Sequence, residues 1–166
     1  MVAVNKRFMS DDCARVSADE HLRAELRAAV TAADAEEGSV LLLTEDRGEL
    51  EFVLCESPVA ETLRGLRQPV GKGITGLAFL LQQPMVVNDV TRDASFDPTV
   101  QERTKVRTRS IMVVPLVAPC GEFGALTALN SRRQDGFSAE DLACYTEAAC
   151  RITERLIALN ITLAAQ

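Results

Sequence analysis

The fold class is decided by two neighbouring apolar stretches, Ser110-Ile-Met-Val-Val-Pro-Leu-Val117 and Phe123-Gly-Ala-Leu-Thr-Ala-Leu129. Both are short and bounded by turn-forming residues, and the first is rich in β-branched side chains, which is typical of buried β-strands. The segment Pro119-Cys-Gly-Glu122 lies between them and predicts a tight turn. Strands joined by a tight turn pair antiparallel, so the two stretches predict a β-hairpin.

A second hairpin is predicted nearer the N-terminus. Its strands are Val40-Leu-Leu-Leu43 and Leu50-Glu-Phe-Val-Leu-Cys55, and the polar segment Glu45-Asp-Arg-Gly48 turns between them. Met85-Val-Val-Asn88 predicts one further short strand. Because the hairpin strands follow one another through turns, the pattern favours an antiparallel sheet.

Two long helices flank these strands in the sequence. The first is predicted over residues 18–35, because Ser17 and Glu20 have the spacing of a capping box and apolar residues then recur at helical intervals. Gly38 is expected to end it. The last is predicted over residues 139–162, with Ser138 as its N-terminal cap. Residues 56–108 predict loops with short helices within 56–70 and near 77–81 and 99–106, so the fold class is α+β.

The length of 166 residues corresponds to a single domain. We divide the chain into a leader (1–16), the domain (17–162) and a tail (163–166). The tail is still apolar and has no glycine or proline to stop the last helix. We therefore expect the helix to continue into an output domain of a longer protein, with a natural end of the chain as the alternative.

Composition and charge exclude several classes of protein. Hydrophobic residues make up 47% of the chain, as in ordinary globular domains, and the net charge is −6 with no basic run. An acidic chain of this kind is a poor binder of nucleic acids or anionic membranes. No apolar stretch approaches the roughly 18 residues of a membrane-spanning helix, and the opening residues lack the apolar core of a secretory signal. We therefore expect a cytoplasmic protein whose five scattered cysteines are reduced thiols.

Five segments, each weak alone, together resemble the GAF family of sensory domains, because they follow one another in the family's order from about residue 18 to residue 162. They are Gly71-Lys-Gly-Ile-Thr-Gly76, Val87-Asn-Asp-Val90 with Phe96, Ser110-Ile-Met-Val-Val-Pro-Leu116, Gly124-Ala-Leu-Thr-Ala-Leu-Asn130 and Phe137-Ser-Ala-Glu-Asp-Leu142.

The resemblance implies an antiparallel sheet of five or six strands between two helix layers. It places the long first and last helices on one face, and the loops and short helices of residues 56–108 on the other face, around a small-molecule pocket. Loop-borne polar groups often line such a cavity, so the loop carboxylates Asp89, Asp93 and Asp97 are candidate ligand contacts, with local turn and capping roles as the alternative. The candidate lining residues are Asp89, Asp93, Phe96, Arg109, Ser110 and Met112.

Cofactor and metal sites are not expected. The only histidine, His21, falls at the start of the first helix, away from the implied pocket, so haem, bilin and zinc are disfavoured. The glycines at 71, 73 and 76 lack the preceding strand of a phosphate-binding loop and are interpreted as a tight turn. GAF relatives that reduce methionine sulfoxide use pocket cysteines, whereas residues 56–119 contain none. We therefore expect no catalytic residues and no enzyme activity.

Cyclic-nucleotide binding stays an open alternative. The signature of such GAF domains is partly present, because Asn130, Phe137 and Asp141 match it. Ser131 and Leu142 replace its lysine and glutamate. Helix capping by Ser138 and Asp141 accounts structurally for part of the match.

The sequence is compatible with three functions. The first is a sensory module that binds an unidentified small molecule and relays the signal through the terminal helices. The second is a ligand-free dimerisation and relay module with a pocket filled by large side chains, namely Phe79, Leu81, Met85, Phe96 and Met112. The third is a redox sensor based on Cys120. Apolar residues repeat at heptad spacing along the last helix, with a second stripe of Ala143, Cys150 and Ile157, which predicts a homodimer through the terminal helices.

Overall fold

The structure, a computed structural model, describes residues 11–161. Six helices and six strands alternate irregularly along it. The helices are α1 (Cys13–Ala18), α2 (Glu20–Ala32), α3 (Ala60–Leu63), α4 (Gly73–Leu81), α5 (Thr99–Thr104) and α6 (Ala139–Ala158). The strands are β1 (Ala35–Leu43), β2 (Glu49–Glu56), β3 (Arg67–Pro69), β4 (Met85–Val87), β5 (Ile111–Ala118) and β6 (Gly121–Ser131). A single 3₁₀ turn spans Val90–Arg92.

All six strands form one antiparallel sheet in the order β3-β2-β1-β6-β5-β4. The two predicted hairpins are confirmed as β1–β2 and β5–β6, and the predicted short strand is confirmed as β4. Strands β1 and β6 meet at the centre, where Ser39 lies opposite Thr127 and Leu41 lies opposite Ala125. The α+β class with a six-stranded antiparallel sheet follows directly.

Side chains of the sheet alternate between its two faces, which separates two apolar layers. On one face, Leu42, Met112 and Leu126 form a core with residues of α2 and α6, such as Leu26 and Ile152. We call this the helix-side core. On this side α2 and α6 also pair directly, because Asp19 bonds to Arg155 at 2.7 Å and Glu25 to Arg151 at 2.9 Å.

The other face of the sheet is covered by the shorter elements of residues 57–108. Leu41 and Phe52 pack with Phe79, and Ile111 and Ala125 pack with residues of α4 and the 3₁₀ turn. We call this the cavity side, because it contains the site described below.

The first helix is shorter than predicted. Instead of one helix over residues 18–35, two helices meet at Asp19, whose backbone is extended and whose carboxylate accepts a hydrogen bond from the Leu22 amide at 2.8 Å. The predicted capping box of Ser17 and Glu20 is therefore wrong, since Asp19 is a strong N-cap in its own right. Val16 is fully buried in the helix-side core. The predicted boundary at residue 17 thus falls inside α1, and the proposed tail lies outside the described residues.

Gly38 does not end the first helix but lies inside strand β1. A Cβ atom at this position would be 2.3 Å from the Val30 side chain and 2.9 Å from the Tyr145 hydroxyl. Glycine is needed there because α2 and α6 both approach the sheet at this point. Gly38 therefore permits close packing, whereas the sequence alone predicted that it ends a helix.

The C-terminal elements agree more closely with the sequence. Ser138 and Asp141 form the predicted capping box at the start of α6. The helix itself ends at Ala158 rather than at residue 162. Among residues 11–161, no helix is long and apolar enough to cross a membrane.

Candidate functional site

The candidate site is a cavity of about 60 Å³ on the cavity side of the sheet. Its floor comes from strands β2, β5 and β6, and its walls from β3, α4, α5 and the segments on either side of α5. A space of this size holds a few water molecules. The lining residues are Phe52, Gln68, Gly73, Ile74, Thr75, Phe96, Asp97, Val100, Gln101, Thr108, Ile111, Thr127 and Leu129.

Two lining threonines present their hydroxyl groups to the cavity. The side chain of Thr127 rises from the centre of strand β6, and that of Thr75 from the first turn of α4. Thr127 is only 4% exposed and Thr75 only 5% exposed, yet neither hydroxyl makes a hydrogen bond within residues 11–161. Within residues 11–161 the one buried side-chain oxygen or nitrogen without a partner is Glu45 Oε1, so both threonine hydroxyls are accessible from the cavity. Both hydroxyls therefore offer hydrogen bonds to whatever enters the cavity.

Helix α5 and its flanking segments close the cavity on the opposite side. The amide of Thr108 donates to the Gln101 side-chain oxygen at 2.8 Å, which ties the segment after α5 back to the helix. At the other end, Asp97 accepts hydrogen bonds from the Thr99 hydroxyl at 2.7 Å and from its amide at 3.1 Å, which forms the turn that leads into α5. These local bonds shape the wall that faces the sheet.

Asp97 supplies the only charged side chain among the described lining residues. The Lys72 ammonium lies 3.8 Å from its second carboxylate oxygen. Burial works against the charged form, but the Thr99 hydrogen bonds and Lys72 outweigh it, so the pKa of Asp97 lies below its ordinary value. Gly73 has a positive φ of 72°, and a Cβ there would lie 3.2 Å from the Asp97 Cβ, so the glycine lets Asp97 pack against the start of α4.

Of the six residues predicted to line the pocket, Phe96 does so. Asp89 instead caps the 3₁₀ turn through the Thr91 amide at 3.1 Å, and Asp93 accepts a hydrogen bond from the Ser95 amide at 2.8 Å. These two carboxylates have the turn and capping roles that the sequence left open. The third carboxylate weighed in this loop, Asp97, does reach the cavity.

The other three predicted residues lie elsewhere. Arg109 is paired with Glu36 at 2.8 Å, and the buried Ser110 hydroxyl accepts a hydrogen bond from the Ser131 amide. Met112 is fully buried in the helix-side core, so its predicted place in the pocket lining is wrong. Strand alternation gives the reason, because Ile111 and Val113 occupy the cavity side and the residue between them must point away.

Sequence reasoning missed most of the lining. Thr127 carried one usable signal, since it is the single polar residue within the apolar stretch of β6 and is separated by two from Ala125 and Leu129. Gln68, Gln101 and Thr108 gave no signal, because their approach to the sheet depends on how the loops fold.

Asn130, which matches the cyclic-nucleotide signature, has a structural role. Its backbone has a positive φ of 58° and its side-chain oxygen accepts hydrogen bonds from the amides of Arg109 at 2.6 Å and Ser110 at 3.3 Å. Its side-chain nitrogen donates to the Arg107 carbonyl at 2.9 Å. Asn130 therefore holds the segment that leads into β5. Another matching residue, Asp141, caps α6 and pairs with Arg133.

The cysteines lie away from the cavity in the described part of the chain. Cys120, Cys144 and Cys150 are exposed, and Cys13 borders a larger surface depression of about 450 Å³ between α1 and β2. Burial and the neighbouring Glu51 carboxylate raise the pKa of the Cys13 thiol, and burial raises that of Cys55. Both thiols therefore stay protonated and poorly nucleophilic. Within residues 11–161 no group of three side chains could hold a metal ion.

Solved structures of several signalling proteins have the same fold. Residues 122 to 287 of a methyl-accepting chemotaxis protein are 19% identical, with a TM-score of 0.71 over 90% of this chain and 97% of that one. The GAF domain of a phosphoenolpyruvate-protein phosphotransferase from Coxiella burnetii is 16% identical, with a TM-score of 0.70 over 94% and 96%.

An enzyme shares this fold as well. Free methionine-R-sulfoxide reductase from Neisseria meningitidis, solved with its substrate, is 22% identical, with a TM-score of 0.70 over 90% of this chain and 86% of that one. No protein among the curated sequences matches this chain. At these identities the solved structures show a common fold, whereas the family is shown by a sequence model. The model of the GAF domain matches residues 17–155, and the chain therefore belongs to the GAF domain family.

Proposed function

We propose that this chain is the sensory or regulatory domain of a signal-transduction protein and binds a small molecule in the cavity between the sheet and α5. The observation that carries the proposal is the pair of hydroxyls of Thr75 and Thr127, which face the cavity and make no hydrogen bond within residues 11–161. A bound molecule can make hydrogen bonds to both hydroxyls in place of water.

The similar structures favour a role in signalling over a role in metabolism. A chemotaxis protein and a phosphoenolpyruvate-protein phosphotransferase both contain domains of this fold. By analogy, we propose that the domain acts on an output domain, fused or separate, in the cytoplasm. The analogy concerns the context of the fold and does not extend to a ligand.

A relay path to the terminal helices starts at Thr127 itself. Its side chain faces the cavity, while its carbonyl accepts a hydrogen bond from the buried Tyr145 hydroxyl of α6 at 2.6 Å. A ligand that moves Thr127 therefore acts on α6 through one hydrogen bond. The shift that it produces is limited by the difference in its affinity for the two states.

We further propose that α2 and α6 form the interface of a homodimer. The stripe of Ala143, Cys150 and Ile157 is exposed along α6, and Ile157 is 45% exposed although it is large and apolar. In a dimer, this stripe would be removed from water. The stripe lies on the helix whose Tyr145 contacts Thr127, so a dimer formed there would receive the signal directly.

We propose that the domain is not an enzyme. The methionine sulfoxide reductase shares the fold, but none of the described lining residues of this cavity is a cysteine. No histidine lines the cavity among these residues, and the one lining carboxylate, Asp97, has a lowered pKa that makes it a weak base for activating a threonine hydroxyl. A redox sensor based on the exposed Cys120 is the weaker alternative, since Cys120 has no place in the path from the cavity to α6.

The main alternative is a dimerisation and relay module that binds nothing. The small volume of the cavity favours it, because typical ligand sites measure about 300–1,000 Å³. Phe79 supports it as well, since its side chain is buried in the cavity-side layer. Leu81 does not, because it is 56% exposed.

Native mass spectrometry of the purified protein, compared with its mass under denaturing conditions, tests the proposal. Extra mass that is present only under native conditions, and that is lost in a Thr127→Val variant, would support a ligand in the cavity. The matched control is Thr146→Val, which removes an exposed hydroxyl of α6. Bare subunits, combined with no thermal stabilisation by any compound of a metabolite library, would support the ligand-free module instead.

A further inference from the structure

The charge of the cavity wall restricts the kind of molecule that can enter. Asp97 is the only charged residue among the described lining residues, and none of those residues is basic. Its side chain is 16% exposed, so the carboxylate is largely removed from water. A negatively charged group in the cavity would lose its hydration next to this carboxylate and gain no cationic partner from the wall.

Asp97 also has an unused hydrogen-bonding position. One carboxylate oxygen accepts from the Thr99 hydroxyl and amide. The other is 3.8 Å from the Lys72 ammonium, which is too long for a hydrogen bond. Lys72 is 61% exposed and lies outside the lining, so it balances the charge of Asp97 from the solvent side without filling that acceptor position.

The remaining polar groups complement a donor. The hydroxyls of Thr75 and Thr127 can accept hydrogen bonds and are unpartnered within residues 11–161. The aromatic rings of Phe52 and Phe96 line the same space, and aromatic faces attract cations. Acceptors, aromatic rings and a carboxylate together suit an ammonium group on a small apolar body.

We propose that the cavity is selective for small organic molecules that carry a positively charged amine. The amine takes the place of Lys72 as the partner of Asp97 and donates to the threonine hydroxyls. This inference rests on the proposed function, because it assumes that the cavity is a ligand site. It also excludes anionic ligands, and so it decides against the cyclic nucleotides that the sequence left open.

The direction in which a Lys72 variant changes amine affinity distinguishes this proposal from a purely structural role of the lysine. If the amine and Lys72 compete for Asp97, removing the lysine charge strengthens the binding of an amine. A lysine that served only to hold the site together would have the opposite effect. Asp97→Asn keeps the turn that leads into α5, because an asparagine side-chain oxygen can accept the same two hydrogen bonds from Thr99, and it removes the charge alone.

The test uses three probes of nearly equal shape, namely isobutylamine, isobutanol and isobutyrate, titrated into isotope-labelled protein and followed by the backbone amide NMR signals. We expect shifts at Thr75, Thr127 and their neighbours, with the amine binding at least about threefold more tightly than the alcohol, the ratio that a partly exposed ion pair supplies. The carboxylate is expected to leave these signals unchanged.

Two variants test whether Asp97 and Lys72 set the preference for the amine. Lys72→Gln is expected to strengthen amine binding about twofold or more and to leave alcohol binding unchanged, whereas Asp97→Asn should make the two affinities equal. Their amide spectra show whether each variant is folded. Equal binding of all three probes, or tighter binding of isobutyrate, overturns the charge selectivity and leaves the cavity as a ligand site. No shift at these amides with any probe overturns both proposals.

Discussion

The hydrogen bond between Tyr145 and Thr127 lends itself to a prediction at two pH values. Tyr145 is the only tyrosine of the chain and is fully buried against the sheet, where its hydroxyl donates to the Thr127 carbonyl at 2.6 Å. Tyr145→Phe keeps the ring and removes the donor. The variant should lose about 1–2 kcal/mol of the free energy of unfolding at pH 7, the cost of removing a buried hydrogen bond.

At high pH the same hydroxyl has the opposite effect. Burial raises the pKa of Tyr145 far above its ordinary value, so the folded protein keeps this proton while the unfolded chain releases it. The contribution of the raised pKa to the free energy of unfolding is fully present at pH values below about 10, the pKa of tyrosine in the unfolded chain. It is lost as the pH rises further. At pH 11 this loss amounts to about 1.4 kcal/mol in the wild type and is absent from Tyr145→Phe.

Urea denaturation at both pH values measures the two effects. The difference between wild type and variant is expected to shrink from about 1–2 kcal/mol at pH 7 to near zero at pH 11, with equal m-values. Thr146→Ala is the control, because its exposed hydroxyl bonds within α6, and its effect should stay within about 0.5 kcal/mol at both pH values. A difference that is the same at pH 7 and pH 11 would refute the buried position of this hydroxyl.

Three further variants test the packing of the helices on the sheet, the N-cap of α2 and the proposed dimer interface on α6. Gly38→Ala should destabilise the protein by about 1–3 kcal/mol in thermal or urea unfolding, since the new methyl group would overlap Val30, whereas Gly48→Ala has room and should change stability little. Asp19→Ala removes the N-cap of α2 and the ion pair with Arg155, so it should lower the free energy of unfolding by about 1 kcal/mol. It should also reduce the loss of this free energy as the pH falls, whereas Ser17→Ala should leave that pH dependence unchanged. The Arg155 hydrogen bond holds the pKa of Asp19 below its ordinary value, so that contribution is present at neutral pH and lost as the pH falls. Ile157→Glu should convert a dimer into a monomer in light scattering; a dimer that persists would show that α6 does not form the interface.

Ligand binding and the relay to α6 are both proposed to involve Thr127, so variants can separate the two functions. Thr127 faces the cavity and is bonded to α6, so a variant that leaves ligand binding intact but removes the response of α6 would separate the site from the relay. Tyr145→Phe is such a variant, because it keeps the cavity lining unchanged. Amide signals of α6 that respond to a probe in the wild type and stay silent in the variant would identify this bond as the coupling element.

The sequence by itself determined the two hairpins, strand β4 and the α+β class, whereas strand β3 lies in a segment predicted as loop and short helix. The hairpins β1–β2 and β5–β6 were predictable, because apolar strands separated by short turns have few other ways to pair. The Ser138–Asp141 capping box was equally predictable, since it depends on residues three apart. The five segments in the family's order led to the GAF domain, which the family model confirms over residues 17–155.

Tertiary structure alone decided which face each strand residue occupies and which loop residues meet. In β5 both faces are buried, so its sequence lacks the alternation of apolar and polar side chains that distinguishes two faces. Only the packed structure shows that Ile111 faces the cavity and Met112 faces the helices. The role of Gly38 depends on two helices that approach it from distant parts of the chain. The cavity itself combines residues from 52 to 129, and its selectivity depends on Asp97 meeting two threonines that the sequence places far apart. Local patterns determine elements, whereas a site built from several elements exists only once those elements are packed.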